Sequence, residues 1–293
     1  MEHPIQQISK DMMRRQELDM LLAKATPERR AIGEKLIAKS WFQNTDPDLQ
    51  KTLLTLPSKG IENHNGFLED LANRPEDISN VHVERMVDLP RGSFALVPKF
   101  EVSKKDNPSM RYTYEYVSWR NGPMTGEKGV VFVENGGKTT HFIVLRGEKF
   151  ATGKPSWDAI GGFSDIGADG VNSLDERTVK EIQEELGVPD IVVKRKVSLG
   201  NINTDVGMTN NTPGIFAAFI DGTHASKISA KPLNGDIREL QTGAVVFPID
   251  QLPNVVMTNT DSFFLSTIAR AWAKGIIAPP SGLVGKNVGF SLN

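Results

Sequence analysis

The 293-residue sequence predicts an α/β protein, a mixed sheet covered by helices on both faces and preceded by a mainly helical segment. Three observations carry this expectation. Runs rich in β-branched and aromatic residues crowd the chain after residue 92. Segments with helical periodicity are interspersed among them. The residues before that point hold helix signals and few strand signals. The expected division is a helical extension over 1–91, a core domain over 92–278 and a loosely attached tail over 279–293.

In the first segment, Thr26-Pro27-Glu28 reads as a helix start: a hydroxyl cap, proline in the first turn and an acid at the positive helix end. Asp46-Pro47-Asp48 and the run 66–72 announce further short helices. Leu89-Pro90-Arg91-Gly92 marks the change of pattern. Strands are expected over 93–102, 111–120, 129–134 and 139–146. Asn135-Gly136-Gly137 supplies the positive-φ residues of a tight hairpin between the last two. After a Gly161-Gly162 turn come a helix and strands over 191–199, 214–220 and 243–249. An amphipathic helix over 261–274 places Phe263, Phe264, Ile268 and Trp272 on its apolar side.

Composition narrows the function classes. A formal net charge of -2 gives no global attraction to nucleic acid or anionic membrane, so neither is expected as a partner. Cysteine is absent, which removes disulfides, thiolate zinc sites and cysteine nucleophiles. The five histidines form no metal-ligand spacing. Met1-Glu2-His3-Pro4 lacks the layout of a signal peptide, and no apolar run approaches the roughly 20 residues of a membrane-spanning helix. A soluble cytoplasmic protein is the expectation.

The helix after the glycine pair carries the chemistry. Ser173-Leu174-Asp175-Glu176 is a capping-box pattern, and Gly187 before Val188-Pro189 ends the helix. Leu174, Thr178, Ile182 and Leu186 recur every fourth residue as a buried stripe. At ~100° per residue, Glu181, Glu184 and Glu185 project together beside it. Carboxylates so crowded repel each other, and a divalent cation removes that penalty. The competing reading is a solvated acidic face neutralised by Arg177, four before Glu181, and Lys180, four before Glu184.

Lys180-Glu181-Ile182-Gln183-Glu184-Glu185-Leu186-Gly187-Val188 resembles the second half of the Nudix box, Arg-Glu-apolar-any-Glu-Glu-any-Gly-apolar. Lys180 stands where arginine is usual. The first half departs from the pattern: Asn172 falls at the family glutamate, and the stretch from Gly162 to Lys180 is about four residues longer. An insertion over 164–171 accounts for this, with Asp165 or Asp169 as a replacement acid. The resemblance covers roughly residues 92–278. It implies a Nudix-type α/β/α sandwich and hydrolysis of a nucleoside diphosphate linked to another group.

It further implies Mg2+, with Mn2+ as the alternative ion, held by Glu184, Glu185, Glu181 and the Gly161 carbonyl. Glu181 is either a further ligand or the base that activates water. Asp205-Val206-Gly207-Met208-Thr209-Asn210-Asn211 resembles the Pro-Gly-Met-Thr/Ser-Asn/Asp-Glu segment of ADP-ribose pyrophosphatases, with Val206 at the proline and Asn211 at the glutamate. A plain connecting loop is the other reading. Gly207 and Met208 join the expected substrate site through that resemblance, as does Glu239 as a late catalytic acid; Arg146, at the end of the 139–145 strand, either meets the diphosphate or is a surface arginine.

The chain's three tyrosines, Tyr112, Tyr114 and Tyr116, alternate along one strand and share a face, which Ser118 would continue, while Trp119 falls opposite. Packing against a core or partner is one role for such a stripe. The resemblance suggests another, in which Tyr116 or Trp119 stacks on adenine. It also implies a homodimer and a small-molecule nucleotide substrate, ADP-ribose foremost, cleaved to AMP and ribose 5-phosphate. Two readings compete with the enzyme: a degenerate module that binds nucleotide without efficient turnover, and a regulatory protein whose N-terminal helices hold a partner.

Overall fold

The computed structural model describes residues 4–59, 62–124, 126–149, 153–162, 173–228 and 241–279. The chain divides into two compact units, Met1–Thr125 with Asp205–Thr212, and Gly126–Thr204 with Pro213–Asn293.

In the first unit, helices α1 (Pro4–Ala23), α2 (Pro27–Ile37), α3 (Ser40–Gln43), α4 (Pro47–Thr55) and α5 (Asn65–Asn73) precede strands β1 (Asp77–Ile78) and β2 (Val81–Asp88). Strands β3 (Ala95–Leu96), β4 (Lys99–Lys104), β5 (Asn107–Glu115) and β6 (Ser118–Trp119) follow. The expected caps are present. The Thr26 side chain accepts from the Arg29 amide ahead of Pro27, and Asp46 accepts from the Asp48 amide ahead of Pro47. β1-β2-β4-β5 form an antiparallel sheet, and β3 pairs with β6 as a separate ribbon. Trp41, Phe42, Leu53, Phe67 and Leu71 bury against Met86, Phe100 and Val102 to make the core.

Arg29 lies in that core with its guanidinium donating to the carbonyls of Leu53 and Leu56, at 3.2 and 2.8 Å, and to Asn65 Oδ1 at 3.0 Å. Burial lowers its pKa to about 10, still far above neutrality, so the cation ties α2 to the carbonyls at the end of α4 and to α5. Two features depart from expectation. β2 falls within the segment expected to be helical; a register shift between Val83 and Arg85 breaks its alternation. β4 then pairs with β2, so the first unit runs to Thr125, beyond the boundary expected near residue 92.

The second unit holds β7 (Glu127–Asn135), β8 (Lys138–Lys149), β9 (Lys154–Asp158), α6 (Leu174–Glu185), β10 (Val193–Asn201), β11 (Gly214–Asp221), β12 (Gln241–Pro248), α7 (Leu252–Thr258) and α8 (Ser262–Ala273). The sheet order is β10-β11-β7-β8-β12, with β9 also on β8. β11 and β7 run parallel and the other pairs antiparallel, which makes the expected mixed sheet. Gly136 and Gly137, at φ 57 and 77, turn the β7–β8 hairpin.

Alternation along the central strands divides the core in two. Val130, Phe132, Phe142, Val144, Ala217 and Phe219 meet Leu252 and Val255 of α7 and Phe264 and Ile268 of α8. Their sequence neighbours Val131, Val133, Ile143, Leu145, Phe216 and Ala218 meet Ile182 and Leu186 at the end of α6. The unit is an α/β/α sandwich. No helix among the described residues is long and apolar enough to cross a membrane.

Asp261 joins two layers of this sandwich. Its carboxylate caps α8 by accepting from the Phe263 and Phe264 amides, at 3.1 and 3.3 Å, and also accepts from the Ala159 amide at 2.7 Å. Asp261→Ala should destabilise the protein by about 2 kcal/mol, because it removes the cap and strands the Ala159 amide. Burial raises the Asp261 pKa despite these hydrogen bonds. Its contribution is therefore fullest below the ordinary carboxylate value and declines as pH rises through the raised one. Chemical denaturation across that range should show this slope in the native protein, and Asp261→Asn should flatten it.

Candidate functional site

Helix α6 forms as its sequence dictates. The Ser173 side chain accepts from the Glu176 amide at 3.1 Å, Asp175 and Glu176 sit at the positive helix end, and Gly187 at φ 65 ends the structure. Thr178, Ile182 and Leu186 are buried. Beside them lie the three glutamates. Arg177 pairs with Glu181, and Lys180 reaches Glu184 at 3.8 Å, the i,i+4 pairs expected from the spacing. Glu181 keeps only 13% of its side chain exposed against 53% for Glu184, so the two face different surroundings.

The glycine pair lies against this helix. Gly161 donates its amide to Glu185 Oε2 at 2.7 Å. A Cβ added at Gly162 would fall 2.6 Å from the Glu181 carboxyl carbon, so Gly162 is where that carboxylate packs against the backbone. Gly161 itself has φ 126, and a Cβ there would lie 2.3 Å from the Glu127 carbonyl oxygen. Reciprocal 2.8 Å hydrogen bonds between Gly129 and Ile160 fix the turn to β7.

Sequence reasoning missed the support beneath the helix. Glu127, at the start of β7, accepts from Thr178 Oγ1 at 3.0 Å and from Lys196 Nζ of β10; Lys196 also pairs with Asp175. Glu127 and Lys196 expose 10% and 14% of their side chains. The pair joins two strands to α6 and fixes the helix against the sheet. No local motif announces it; the pair joins residues 69 apart in sequence, on strands that lie either side of β11.

Other expected site residues fall in different places. Arg146 is exposed on β8, opposite Trp157 of β9, two strand residues and a short turn before Gly161. Tyr116, Trp119, Gly207 and Met208 belong to the first unit. There Tyr114 and Val117 meet the 205–212 segment. Val117 donates its amide to the Met208 carbonyl at 2.8 Å, and Tyr114 Oη lies 3.5 Å from the Gly207 carbonyl. Asp205 Oδ1 accepts from the Gly207 amide at 3.0 Å, and Asn210 donates to Asp70 at 3.0 Å.

The tyrosine ladder is shorter than the alternation implied. β5 ends at Glu115, and Ser118 pairs with Leu96 in the separate β3–β6 ribbon. Tyr112 and Tyr114 meet edge to face and are exposed, whereas Tyr116 is buried between the Phe100 ring and the Arg74 guanidinium. Trp119 is half-buried in the ribbon, opposite Ala95. Glu239, Asn172, Asp165, Asp169, the rest of the 164–171 insertion and residues 280–293 lie outside the described residues.

Two solved structures superimpose on part of the chain. A crystal structure of an ADP compounds hydrolase superimposes over 69% of this chain and 98% of its own, at 17% identity and a TM-score of 0.49. A MutT/Nudix family protein from Listeria innocua matches over 52% of this chain and 90% of its own, at 20% identity and a TM-score of 0.32. No family model matches the chain, and no curated protein sequence does.

Among the described residues, no group of three or more His, Cys, Asp or Glu is gathered to hold a metal ion. Two of the expected ligands, Glu181 and Glu185, nonetheless converge on the glycine turn, one against Gly162 and one on the Gly161 amide. Hard oxygen donors of this number fit magnesium, which keeps several waters and commonly takes one or two carboxylates beside substrate phosphates. Gly161→Ala should cost more than about 2 kcal/mol, because it combines a positive φ with a backbone collision. Gly162→Ala, which meets only the end of a side chain, should lower the melting temperature less while displacing the Glu181 carboxylate.

Proposed function

We propose that the protein is a Mg2+-dependent hydrolase of a nucleoside diphosphate linked to a second group, with ADP-ribose as the foremost substrate and AMP and ribose 5-phosphate as products. The observation that carries this reading is the convergence of Glu181 and Glu185 on the Gly161-Gly162 turn, on a helix whose sequence resembles the second half of the Nudix box. Glu184, Glu185 and the Gly161 carbonyl would hold the metal, with Glu181 as a further ligand or as the base, and the ion would screen the diphosphate charge and lower the pKa of an attacking water.

The chain's own residues supply the rest. The Gly161 amide orients Glu185, and Arg177 orients Glu181 from one turn earlier. In the role of base, Glu181 would accept the proton of the attacking water, which adds to phosphorus as the other phosphate leaves. Glu184, more exposed and paired with Lys180, is free to swing toward a metal at the cost of a weak surface pair. Arg146 would meet the diphosphate and Glu239 would act as a late acid.

A second reading is a nucleotide-binding module without efficient turnover; the absence of a preformed trio of acids among the described residues favours it. The two separate in one assay. Purified protein with magnesium should hydrolyse ADP-ribose or another member of a panel of NADH, dinucleoside polyphosphates and nucleotide sugars. Glu185→Gln and Glu184→Gln should each lower kcat by about a hundredfold or more while leaving the melting temperature within a few degrees. Tight binding of one panel member with no turnover of any would establish the second reading instead.

A further inference from the structure

Glu127 meets both halves of the glutamate–glycine contact from a single position. Its carbonyl oxygen lies against the glycine turn, where a Cβ on Gly161 would come within 2.3 Å of it. Its carboxylate reaches helix α6, accepting from Thr178 Oγ1 at 3.0 Å, and pairs with Lys196 of β10. Lys196 returns to α6 through the exposed Asp175. The sheet leaves room for this arrangement. Gly214 stands beside Glu127 in the register of β11 and β7, and a Cβ there would lie 2.8 Å from Glu127 Cγ.

Stability alone does not call for such a pair. Two charges this deeply placed lose most of their hydration, and apolar residues of similar volume are often as stable or more so. What an apolar contact lacks is direction. It lets a helix slide or tilt on a sheet, whereas a hydrogen bond to Thr178 fixes α6 along its axis. Thr178, Glu181 and Glu185 follow one another along the same side of the helix, at steps of three and four residues. Glu185 stands about 10 Å beyond Thr178 along the axis. A small tilt at the anchor is therefore carried to Glu185, whose carboxylate must meet the Gly161 amide. We propose that Glu127 and Lys196 are positioning residues, which act through Thr178 to set Glu181 and Glu185 against the glycine turn and so shape the metal site. This inference rests on the metal-dependent reading above.

Glu127→Met combined with Lys196→Met keeps the length of both side chains and removes both charges. Its melting temperature should stay within a few degrees of the native value or rise. Mn2+, detected directly by electron paramagnetic resonance, reports the site without turnover. The double variant should bind Mn2+ about tenfold more weakly than the native protein. Its kcat on whichever panel nucleotide the native protein hydrolyses should fall about tenfold or more, with KM for that nucleotide changed less than about threefold. A pair that serves stability alone predicts native values in the folded double variant, and that result would overturn the inference. Thr178→Val, which leaves the ion pair in place and removes only the hydroxyl link, should shift Mn2+ affinity and kcat in the same direction by a smaller factor. It decides the question if the double variant does not fold, and native values in it would then overturn the inference. Where the native protein binds Mn2+ without turnover, the affinities decide alone. A native protein that neither binds Mn2+ nor hydrolyses any panel member would sink the functional reading, and this inference with it.

Discussion

Gly129 has no room for a side chain: a Cβ there would lie 2.0 Å from the Phe216 carbonyl oxygen of the neighbouring strand. The geometry of the second unit follows from this close approach of β7 to β11. β7 is buried on both faces, Val130 and Phe132 toward one helical layer and Val131 and Val133 toward the other. The same strand holds the site at two points. Gly129 pairs with Ile160, which delivers the Gly161-Gly162 turn, and Glu127 binds Thr178 and Lys196, which seats α6. Both partners of the glutamate–glycine contact therefore depend on one central strand.

Magnitudes rank the electrostatic contacts on α6. The Lys180–Glu184 pair is long and largely solvated, and such pairs contribute a few tenths of a kcal/mol. The Gly161 amide on Glu185 is a charge-assisted hydrogen bond in a half-buried setting, of the kind that contributes about 1.5–3 kcal/mol. Glu127 and Lys196 are more buried still; removing Lys196 would leave the Glu127 carboxylate with a neutral hydroxyl donor, whereas Lys196 without Glu127 would keep its pair with the exposed Asp175. Rigidity thus resides beneath the helix and at its glycine contact, while Glu184 is left adjustable. That distribution suits a helix that must hold one carboxylate in place and let another move.

What the sequence made legible was local. Helix starts at Thr26, Asp46 and Ser173, the positive-φ glycines at 136, 137 and 187, and the Arg177–Glu181 and Lys180–Glu184 spacings all act within a few residues. β7 and β8 were likewise readable, because strands buried on both faces are near-continuous runs of β-branched and aromatic residues. Non-local facts were not. A bulge hid β2, and the pairing of β4 with it moved the division of the chain. The Glu127–Lys196 pair spans 69 residues of sequence, and nothing near either residue foretells it. Tyr116 shares its strand's alternation with Tyr112 and Tyr114, yet only the end of β5 at Glu115 explains why it alone is buried.

The first unit shows how its core treats a buried cation when nothing else is required of it. Arg29 is as deeply placed as the apolar residues around it, and its guanidinium meets two carbonyls and an amide oxygen. The three acceptors come from two segments, the end of α4 and the start of α5, and together they satisfy a donor that would be costly to leave unpaired. Arg74 sits in the same unit with a carboxylate on one nitrogen and an aromatic ring beneath, while its Nε and the Tyr116 hydroxyl have no acceptor. Phe at 116 would fill the same space without that penalty. The hydroxyl is therefore a polar group whose retention the packing of the unit alone does not account for.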